Sequence, residues 1–155
     1  DRPTGQVDWV AGAAVMFRME ALQAAGFFDP DFFLYFEEVE LIWRLAQKGW
    51  PCWYLAEAEV LHHEGAATQV RSGEGQQVRR PAYWYASQRM YYAKTRSRLG
   101  ALTCAAARWA GACVHLGVSV LRRRRSDHPS HYLRDFGRLV LAPLVLPSRA
   151  GAQHD

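Results

Sequence analysis

The stretch Phe33-Leu34-Tyr35-Phe36-Glu37-Glu38-Val39-Glu40-Leu41 carries the strongest structural and chemical signal in this chain of 155 residues. Three carboxylates fall within four positions, and the pattern from about Tyr35 to Lys48 is helical. A helix N-terminus favours negative charge, so an acidic helix start is physically reasonable. Gly49 is placed to end the helix, whose apolar face is formed by Leu41, Ile42, Leu45 and Ala46.

The three carboxylates of this helix start are expected to have different roles. Glu40 and Arg44 are four positions apart, so they can pair on one helical face. Glu37 and Glu38 are neighbours and diverge by about 100° around the helix. One of them is therefore a candidate general base facing a cleft, and the other a group that bonds backbone or a bound hydroxyl. The alternative is a solvated acidic helix start with no chemical role.

Short elements are predicted on both sides of the acidic helix. Residues 9–17 are apolar and small, which favours a buried strand with a Gly-Ala-Ala break. Met19 to Ala25 is typical of a short helix ended by Gly26, and an aromatic-rich turn around Pro30 follows. Downstream of the acidic helix, two further strands are predicted, at Cys52–Leu55 and Glu59–His62.

Adjacent histidines, His62 and His63, follow the last predicted strand. Their side chains are expected to point in different directions, so both are not expected to bind one ion. One neutral imidazole is able to complete a metal site whose other ligands lie elsewhere. No HExxH or other complete ligand set occurs in the sequence. The alternative is a pair of loop histidines near Glu64.

Charge divides the chain into two parts. Residues 1–64 have a net charge of −7, and residues 65–155 have a net charge of +11, within an overall net charge of +4. Residues 65–80 are rich in Gly, Gln, Ser and Arg, which is typical of a loop. The sequence therefore predicts an acidic unit followed by a basic arm.

The basic arm is predicted to be helical. Two helices are expected from Pro81 to about Leu121, with a break near Gly100, and a short helix from about His131 to Leu146. Residues 99–121 are apolar but contain Arg108, which is costly inside a bilayer. Three interpretations stay open: a spanning helix, an interfacial helix backed by Arg122–Arg125, and an ordinary packing helix with a solvated basic end.

Composition excludes several classes of protein. Half of the residues are hydrophobic, so a disordered chain is not expected. The three cysteines, without a CxxC, argue against a disulfide framework or a zinc ribbon, and a reducing cytoplasmic compartment is the simpler expectation. Basic and aromatic residues alternate over 79–98, but no RNP, KH or zinc-finger signature accompanies them, so nucleic acid is not an expected partner.

The order and spacing of these segments resemble the family 2 glycosyltransferases, especially the bacterial rhamnosyltransferase-like polysaccharide enzymes. Asp8 to Ala13 is similar to that family's W-x-x-G-A strand and acceptor turn. Arg18 to Phe28 resembles its R-x-x-h-x-x-x-G-x-F-D helix and turn, and Gly26-Phe27-Phe28-Asp29 occupies that turn. Phe33 to Leu41 resembles its F-x-Y-x-E-D-x-D-L motif, and the segment from Val60 to Thr68 its V-x-H-x-x-G-x-S ending. The resemblance is good over residues 8–98 and weak beyond them.

The resemblance implies an α/β fold, the C-terminal half of a GT-A mixed sheet with flanking helices, followed by a helical basic arm. Residues 1–78 would be the acceptor-side part of the catalytic domain, and residues 79–155 a basic and aromatic helical extension. Association of that extension with a membrane is one of the interpretations that stay open for residues 99–121. The implied partners are a nucleotide-sugar donor and a saccharide or lipid-linked acceptor. The expected location is the cytoplasm, with a peripheral position at the inner face of the plasma membrane as an alternative.

The resemblance also implies a role for individual residues. Glu38 stands at the position of the catalytic base, which takes the acceptor proton during an inverting displacement. Glu37 would orient the acceptor or the loop. The acceptor pocket would be lined by Trp9, Gly12 and Glu40. His62 would help to hold a divalent metal, Mg²⁺ or Mn²⁺, on the leaving diphosphate.

Two departures from the family pattern matter. The acidic pair is Glu-Glu here where the family has Glu-Asp, which moves the carboxylate by one methylene. The family's nucleotide-binding strands and Asp-x-Asp motif are also missing, since Asp29-Pro30-Asp31 belongs to the turn. Together with a start that has no Met, this predicts a segment of a longer protein that is inactive alone. The alternative is a non-catalytic membrane-surface or protein-interaction module of the same fold.

Overall fold

Residues 3–62, 79–124, 126 and 128–146 are described by the computed structural model of the chain. They belong to two units, Asp1–Ser72 and Gly73–Asp155. The boundary between these units falls within residues 63–78, outside the described residues, and so does the boundary predicted after residue 78. The predicted domain boundary therefore stays a prediction. His63 and most of the loop predicted at residues 65–80 also lie outside the described residues, so what was predicted for them stays a prediction.

The first unit is built on two helices. Helix α1 spans Met19–Ala25 and helix α2 spans Glu37–Gln47, as the sequence predicts. Gly26 ends α1 with φ +85°, a left-handed conformation that costs glycine little. The two helices bury a small apolar cluster between them, which consists of Ala21, Ala25, Leu41 and Leu45, with Phe17, Leu22 and Trp50 around it.

A two-stranded antiparallel sheet completes the first unit. Strand β1, Gly5–Val7, pairs with strand β2, Cys52–Tyr54, so that Val7 lies opposite Cys52. Next to this pair, the Thr4 hydroxyl donates to Glu57 Oε2 at 2.8 Å and accepts from the Ala56 amide at 2.9 Å. The strand predicted at Cys52–Leu55 is confirmed. No further strand occurs among residues 3–62, so the half-sheet of a GT-A fold stays a prediction.

Two predicted strands are wrong. Residues 9–17 form an irregular, largely exposed loop, and Glu59–His62 is irregular and exposed. Apolar residues form a buried strand only where a neighbouring strand accepts their backbone hydrogen bonds, and none does so here within the described part of the unit. The small side chains of Gly12, Ala13 and Ala14 also provide little surface to pack.

The second unit is helical. Helix α3 spans Ala82–Thr95, α4 spans Arg98–Leu121, α5 spans Tyr132–Phe136 and α6 spans Ala142–Val145. A π-helical turn, Gly137–Leu141, joins α5 to α6, so residues 132–145 are helical throughout, close to the predicted 131–146. The predicted break near Gly100 is displaced, because Ser97 caps α4 by accepting from the Gly100 amide at 3.2 Å.

Aromatic side chains form the core of the second unit. Tyr85 of α3 packs against Tyr132 and Phe136, while α4 contributes only the small residues Ala105 and Ala112. Asp135 is 4% exposed, and its two carboxylate oxygens accept from Arg79 at 2.7 and 2.8 Å. This bidentate pair lowers the pKa of Asp135. Burial raises the pKa of Tyr85 to about 12, so its phenol stays protonated.

Candidate functional site

The acidic start of α2 is held by an unusual backbone. Tyr35 and Phe36, the two residues before the helix, have φ values of +68° and +70°. Bulky residues rarely adopt this left-handed region, at a cost of about 1–3 kcal/mol each. Such conformations cluster at functional sites, where the surrounding structure enforces them. The aromatic segment therefore sets the direction from which the chain enters the acidic helix.

Gly12 lies directly against Glu38. A Cβ placed on Gly12 would lie 3.2 Å from Glu38 Cγ and 3.3 Å from Glu38 Cδ, closer than such atoms normally approach. Glycine at position 12 therefore makes room for the Glu38 side chain in its present position. The loop that contains residues 9–17, which the sequence predicts as a strand, brings this glycine to the start of α2. Two of the predicted site residues, far apart in sequence, thus meet.

Glu37 has a different environment from its neighbour Glu38. Its side chain is half-buried, and its Oε2 atom is buried without a hydrogen bond to any described residue. The pKa of Glu37 is raised above its usual value of 4.5, mainly because the carboxyl is partly buried. A backbone hydrogen bond lowers this pKa and the negative charge of Glu38 raises it, and the net change is an increase. Glu37 and Glu38, which the sequence predicts to point in different directions, thus lie in different environments.

Glu40 faces the interior and forms the predicted pair with Arg44. Glu40 is 2% exposed, and its Oε1 accepts from Arg44 Nε at 2.7 Å. The same arginine donates to the backbone carbonyl of Ala25 and, at 2.7 Å, to that of Phe27. Arg44 therefore satisfies carbonyls at the end of α1 and fixes α1 against α2.

The role of Arg44 exceeds what the sequence indicates. Its spacing from Glu40 predicts the ion pair, but no local pattern predicts the bonds to a turn 17 to 19 residues away. These contacts give Glu40 a structural role. Its predicted part in acceptor binding stays a prediction.

The two remaining predicted site residues lie in exposed segments. Trp9 is 54% exposed on the loop that also contains Gly12, and His62 is exposed at the end of the described part of the first unit. Their predicted roles, in acceptor binding and in metal binding, therefore stay predictions.

The described residues do not fit a metal site by themselves. Across residues 3–62, 79–124, 126 and 128–146, no group of three His, Cys, Asp or Glu side chains is close enough to hold an ion. His62 is a single candidate ligand among them, and a stable divalent site needs several. No chemical step is therefore assigned to a metal on this part of the chain.

One stretch of the chain is similar to a protein of known activity. Over 68 residues it is 40% identical to N-acetylglucosaminyl-diphospho-decaprenol L-rhamnosyltransferase of Mycobacterium tuberculosis, in strains CDC 1551 / Oshkosh and ATCC 25618 / H37Rv. The chain is glycosyltransferase-like over this stretch. The matched stretch is 44% of this chain and 21% of the relative, so the chain covers about a fifth of the length of the curated relatives that it matches.

Comparisons with family models and with solved structures give no match. No family model matches the chain, and no solved structure matches it. The match to the mycobacterial enzyme thus confirms, over 68 residues, that the chain resembles a glycosyltransferase. Membership of family 2 and the GT-A fold stay predictions.

Proposed function

We propose that this chain forms the acceptor-side part of an inverting family 2 glycosyltransferase with a GT-A fold. It would take part in transfer of a sugar from a nucleotide-sugar to a polysaccharide or lipid-linked acceptor. The observation that carries the proposal is the 40% identity over 68 residues to a rhamnosyltransferase whose name specifies a diphospho-decaprenol acceptor. The contact between Gly12 and Glu38 supports it, because these are the residues for which the resemblance implies an acceptor turn and a base.

Glu38 is the proposed general base. Its carboxylate takes the proton of the acceptor hydroxyl while that oxygen attacks the anomeric carbon of the donor. The bond from the anomeric carbon to the nucleoside diphosphate breaks with its electron pair on the diphosphate, and the configuration inverts. A positioned base is worth about 10²–10⁴-fold in rate. Gly12 has no side chain to displace this carboxylate, which is consistent with that role.

Glu37 is the proposed positioning residue. Its half-buried carboxyl has a raised pKa and a buried oxygen without a described partner, so it is suited to accept a hydrogen bond from an acceptor hydroxyl or from the loop. Its position at the N-terminus of α2 keeps it within one helical turn of Glu38. Trp9 and Glu40 complete the proposed acceptor side.

Donor binding is proposed to need residues beyond this chain. The 155 residues contain no Asp-x-Asp motif other than Asp29-Pro30-Asp31, whose Asp29 carboxylate accepts from the Asp31 amide at 3.0 Å within the turn. A divalent metal, when bound, would offset the charge of the leaving diphosphate. His62 is the residue of this chain proposed to contribute to that shared site. The isolated chain is therefore proposed to be inactive.

A chimera tests this proposal. The part of the mycobacterial relative outside the matched stretch would be joined to this chain, and rhamnosyl transfer to N-acetylglucosaminyl-diphospho-decaprenol would be measured. We expect transfer by the chimera and none by either part alone. Robust transfer by the isolated chain would contradict the proposed division of the site. A folded chimera without transfer would contradict the proposed function.

A second candidate function is a non-catalytic membrane-surface module of the same fold. The observation that favours it is the exposure of large aliphatic residues on α4, Leu99, Val114 and Leu121, which lie in the second unit and need no catalytic site. The chimera separates the two candidates, because a non-catalytic module would not restore transfer.

A further inference from the structure

Helix α4 buries and exposes its residues differently from an ordinary packing helix. Its buried residues are small: Ala101, Ala105, Ala112 and Ser119. Several large aliphatic residues are exposed instead, with Leu99 at 71%, Val114 at 66% and Leu121 at 88%, whereas Leu102 and Leu116 are half-buried. At about 100° per residue, the two sets lie on opposite sides of the helix. The side of α4 opposite its buried residues therefore presents large aliphatic side chains to solvent.

This outward face is continuous along the helix. Positions 99, 103, 106, 110, 114, 117 and 121, at spacings of three and four, carry Leu, Thr, Ala, Ala, Val, Gly and Leu, with no charged residue among them. From Leu99 to Leu121 the face is about 33 Å long at 1.5 Å per residue. Only 11% of the most apolar part of α4 is buried within the described residues. The face is thus long and uncharged, and its large aliphatic residues lie at positions 99, 114 and 121.

Exposed arginine side chains lie at both ends of the outward face. Arg96 and Arg98 are exposed at its N-terminal end, and Arg122, Arg123 and Arg124 are exposed at its C-terminal end. From Arg80 to Arg124 the sequence contains no Asp or Glu. The surface around the apolar face therefore complements a negatively charged partner.

This charge distribution argues against a second copy of the chain as the partner. In a parallel pair, the arginines of each end would face the same arginines of the other copy. In an antiparallel pair, Arg96 and Arg98 would face Arg122 to Arg124. Like charges meet in both arrangements, and such contacts are destabilising. An anionic lipid surface supplies opposite charge at both ends and a hydrocarbon layer between them.

The other face of α4 argues against a helix that crosses the bilayer. Arg108 Nε donates to the Tyr132 hydroxyl at 3.1 Å, and Trp109 Nε1 donates to the Leu133 carbonyl at 3.0 Å. These bonds tie α4 to α5, so a spanning α4 would carry a polar layer of the unit into the hydrocarbon. A helix lying in the plane of the interface keeps this layer in water.

We propose that α4 lies in the interface of an anionic bilayer, with Leu99, Val114 and Leu121 in the hydrocarbon boundary and the flanking arginines on lipid phosphates. This proposal depends on the second unit alone and holds whether or not the first unit transfers sugar. The partner is a phospholipid surface, recognised by apolar insertion and negative charge together.

Vesicle flotation of the whole chain tests the proposal. We expect the chain to float with vesicles of phosphatidylcholine mixed with phosphatidylglycerol, and to bind vesicles of phosphatidylcholine alone far more weakly. Added salt should weaken binding, because it screens the exposed arginines. An alkaline carbonate wash should release the bound chain. Equal binding to both vesicles, or resistance to the wash, would overturn the proposal of an in-plane helix on an anionic surface.

Two variants separate the apolar and the charged contributions. Val114→Asp places a charge within the outward face, at one of its three large aliphatic residues, and should abolish flotation. Met16→Asp is its matched control, since Met16 is 97% exposed in the first unit, and flotation should be unchanged. Replacing Arg122, Arg123 and Arg124 by Gln should weaken binding to anionic vesicles on the order of 100-fold. Circular dichroism would confirm that each variant is folded.

Sedimentation in the absence of lipid provides the independent check. The proposal predicts that Val114→Asp leaves the sedimentation coefficient unchanged while it abolishes flotation. A chain that self-associates and becomes monomeric in Val114→Asp would instead assign the face to a second copy and overturn the proposal. Flotation of Val114→Asp equal to that of the parent would also overturn it.

Discussion

Glu38 packs against the backbone of Gly12, so that a single added carbon at position 12 would meet Glu38 Cγ at 3.2 Å. The two residues belong to different segments, a loop and a helix start, which are joined through the cluster that α1 and α2 bury. The position of the proposed base therefore depends on a glycine that is not adjacent in sequence.

Gly12→Ala should displace the Glu38 side chain without unfolding the first unit. In the chimera, we expect the transfer rate to fall on the order of 10²-fold, because a displacement of about 1 Å of a reacting group is that costly. Gly5→Ala is the matched control, since its added carbon would meet nothing closer than Pro3 O at 3.9 Å. Equal rates in the two variants would show that the contact has no role in transfer.

Arg44→Met should destabilise the first unit strongly. It leaves the buried Glu40 carboxylate unpaired and the carbonyls of Ala25 and Phe27 without their donor, and breaking a buried pair costs about 3–5 kcal/mol. Amide hydrogen exchange in α1 and α2 measures the loss. The double variant with Glu40→Met should recover part of it, because no buried charge then remains unpaired. A change of less than about 0.5 kcal/mol, the size expected of an ordinary surface substitution, would contradict the assigned role.

Glu37→Gln should change stability in a pH-dependent way. Because the pKa of Glu37 is raised in the folded chain, stability from the neutral carboxyl is present below its usual value of 4.5 and is lost as pH rises through the folded value. Glutamine cannot ionise, so the variant should be more stable than the parent at neutral pH and equal to it in acid. Thermal unfolding against pH measures this difference.

Glu57→Gln serves as a control for Glu37→Gln, because it should change the stability at neutral pH in the opposite direction. The Thr4 hydroxyl lowers the pKa of Glu57, so its contribution is present above 4.5 and is lost as pH falls through the lower folded value. This variant should be less stable than the parent at neutral pH, with the difference vanishing in acid. The same sign for both variants would contradict the assigned environments.

Asp135→Asn should weaken the second unit at neutral pH. The bidentate bonds from Arg79 lower the pKa of Asp135, so the stability they provide is present above its usual value of 3.8 and is lost as pH falls through the folded value. Hydrogen exchange in α5 measures the effect. Arg134→Gln is the matched control: Arg134 Nε lies 3.7 Å from Asp135 Oδ1 and its side chain is 67% exposed, so little change is expected.

The helices were predictable from the sequence because their signals are local. Gly26 ends α1, and the basic–aromatic segment forms α3. The apolar periodicity correctly places Leu41, Ile42 and Leu45 on the buried face of α2, whereas Ala46, predicted on the same face, is exposed. The strand predicted at residues 9–17 was wrong because a strand depends on a distant partner, which a run of apolar residues does not reveal. For the same reason β1 was missed, since Gly5–Val7 pairs with a segment more than forty residues away.

The candidate site was only partly predictable. Local spacing predicts that Glu40 pairs with Arg44 and leaves Glu37 and Glu38 for other roles. The meeting of Gly12 with Glu38 depends on the tertiary fold, and the sequence indicates it only through a resemblance. The outward face of α4 was ambiguous for a related reason, because composition does not show which side of an apolar helix the rest of the fold covers.

The most direct test of the account is the transfer rate of Glu38→Gln in the chimera, with Glu38→Asp as the matched variant that keeps a carboxylate. We predict that the glutamine variant loses about 10²–10⁴-fold in turnover, because glutamine cannot take the acceptor proton. The aspartate variant should retain more activity than the glutamine variant. Unchanged turnover in Glu38→Gln, with the chimera folded and active, would contradict the assignment of Glu38 as the base.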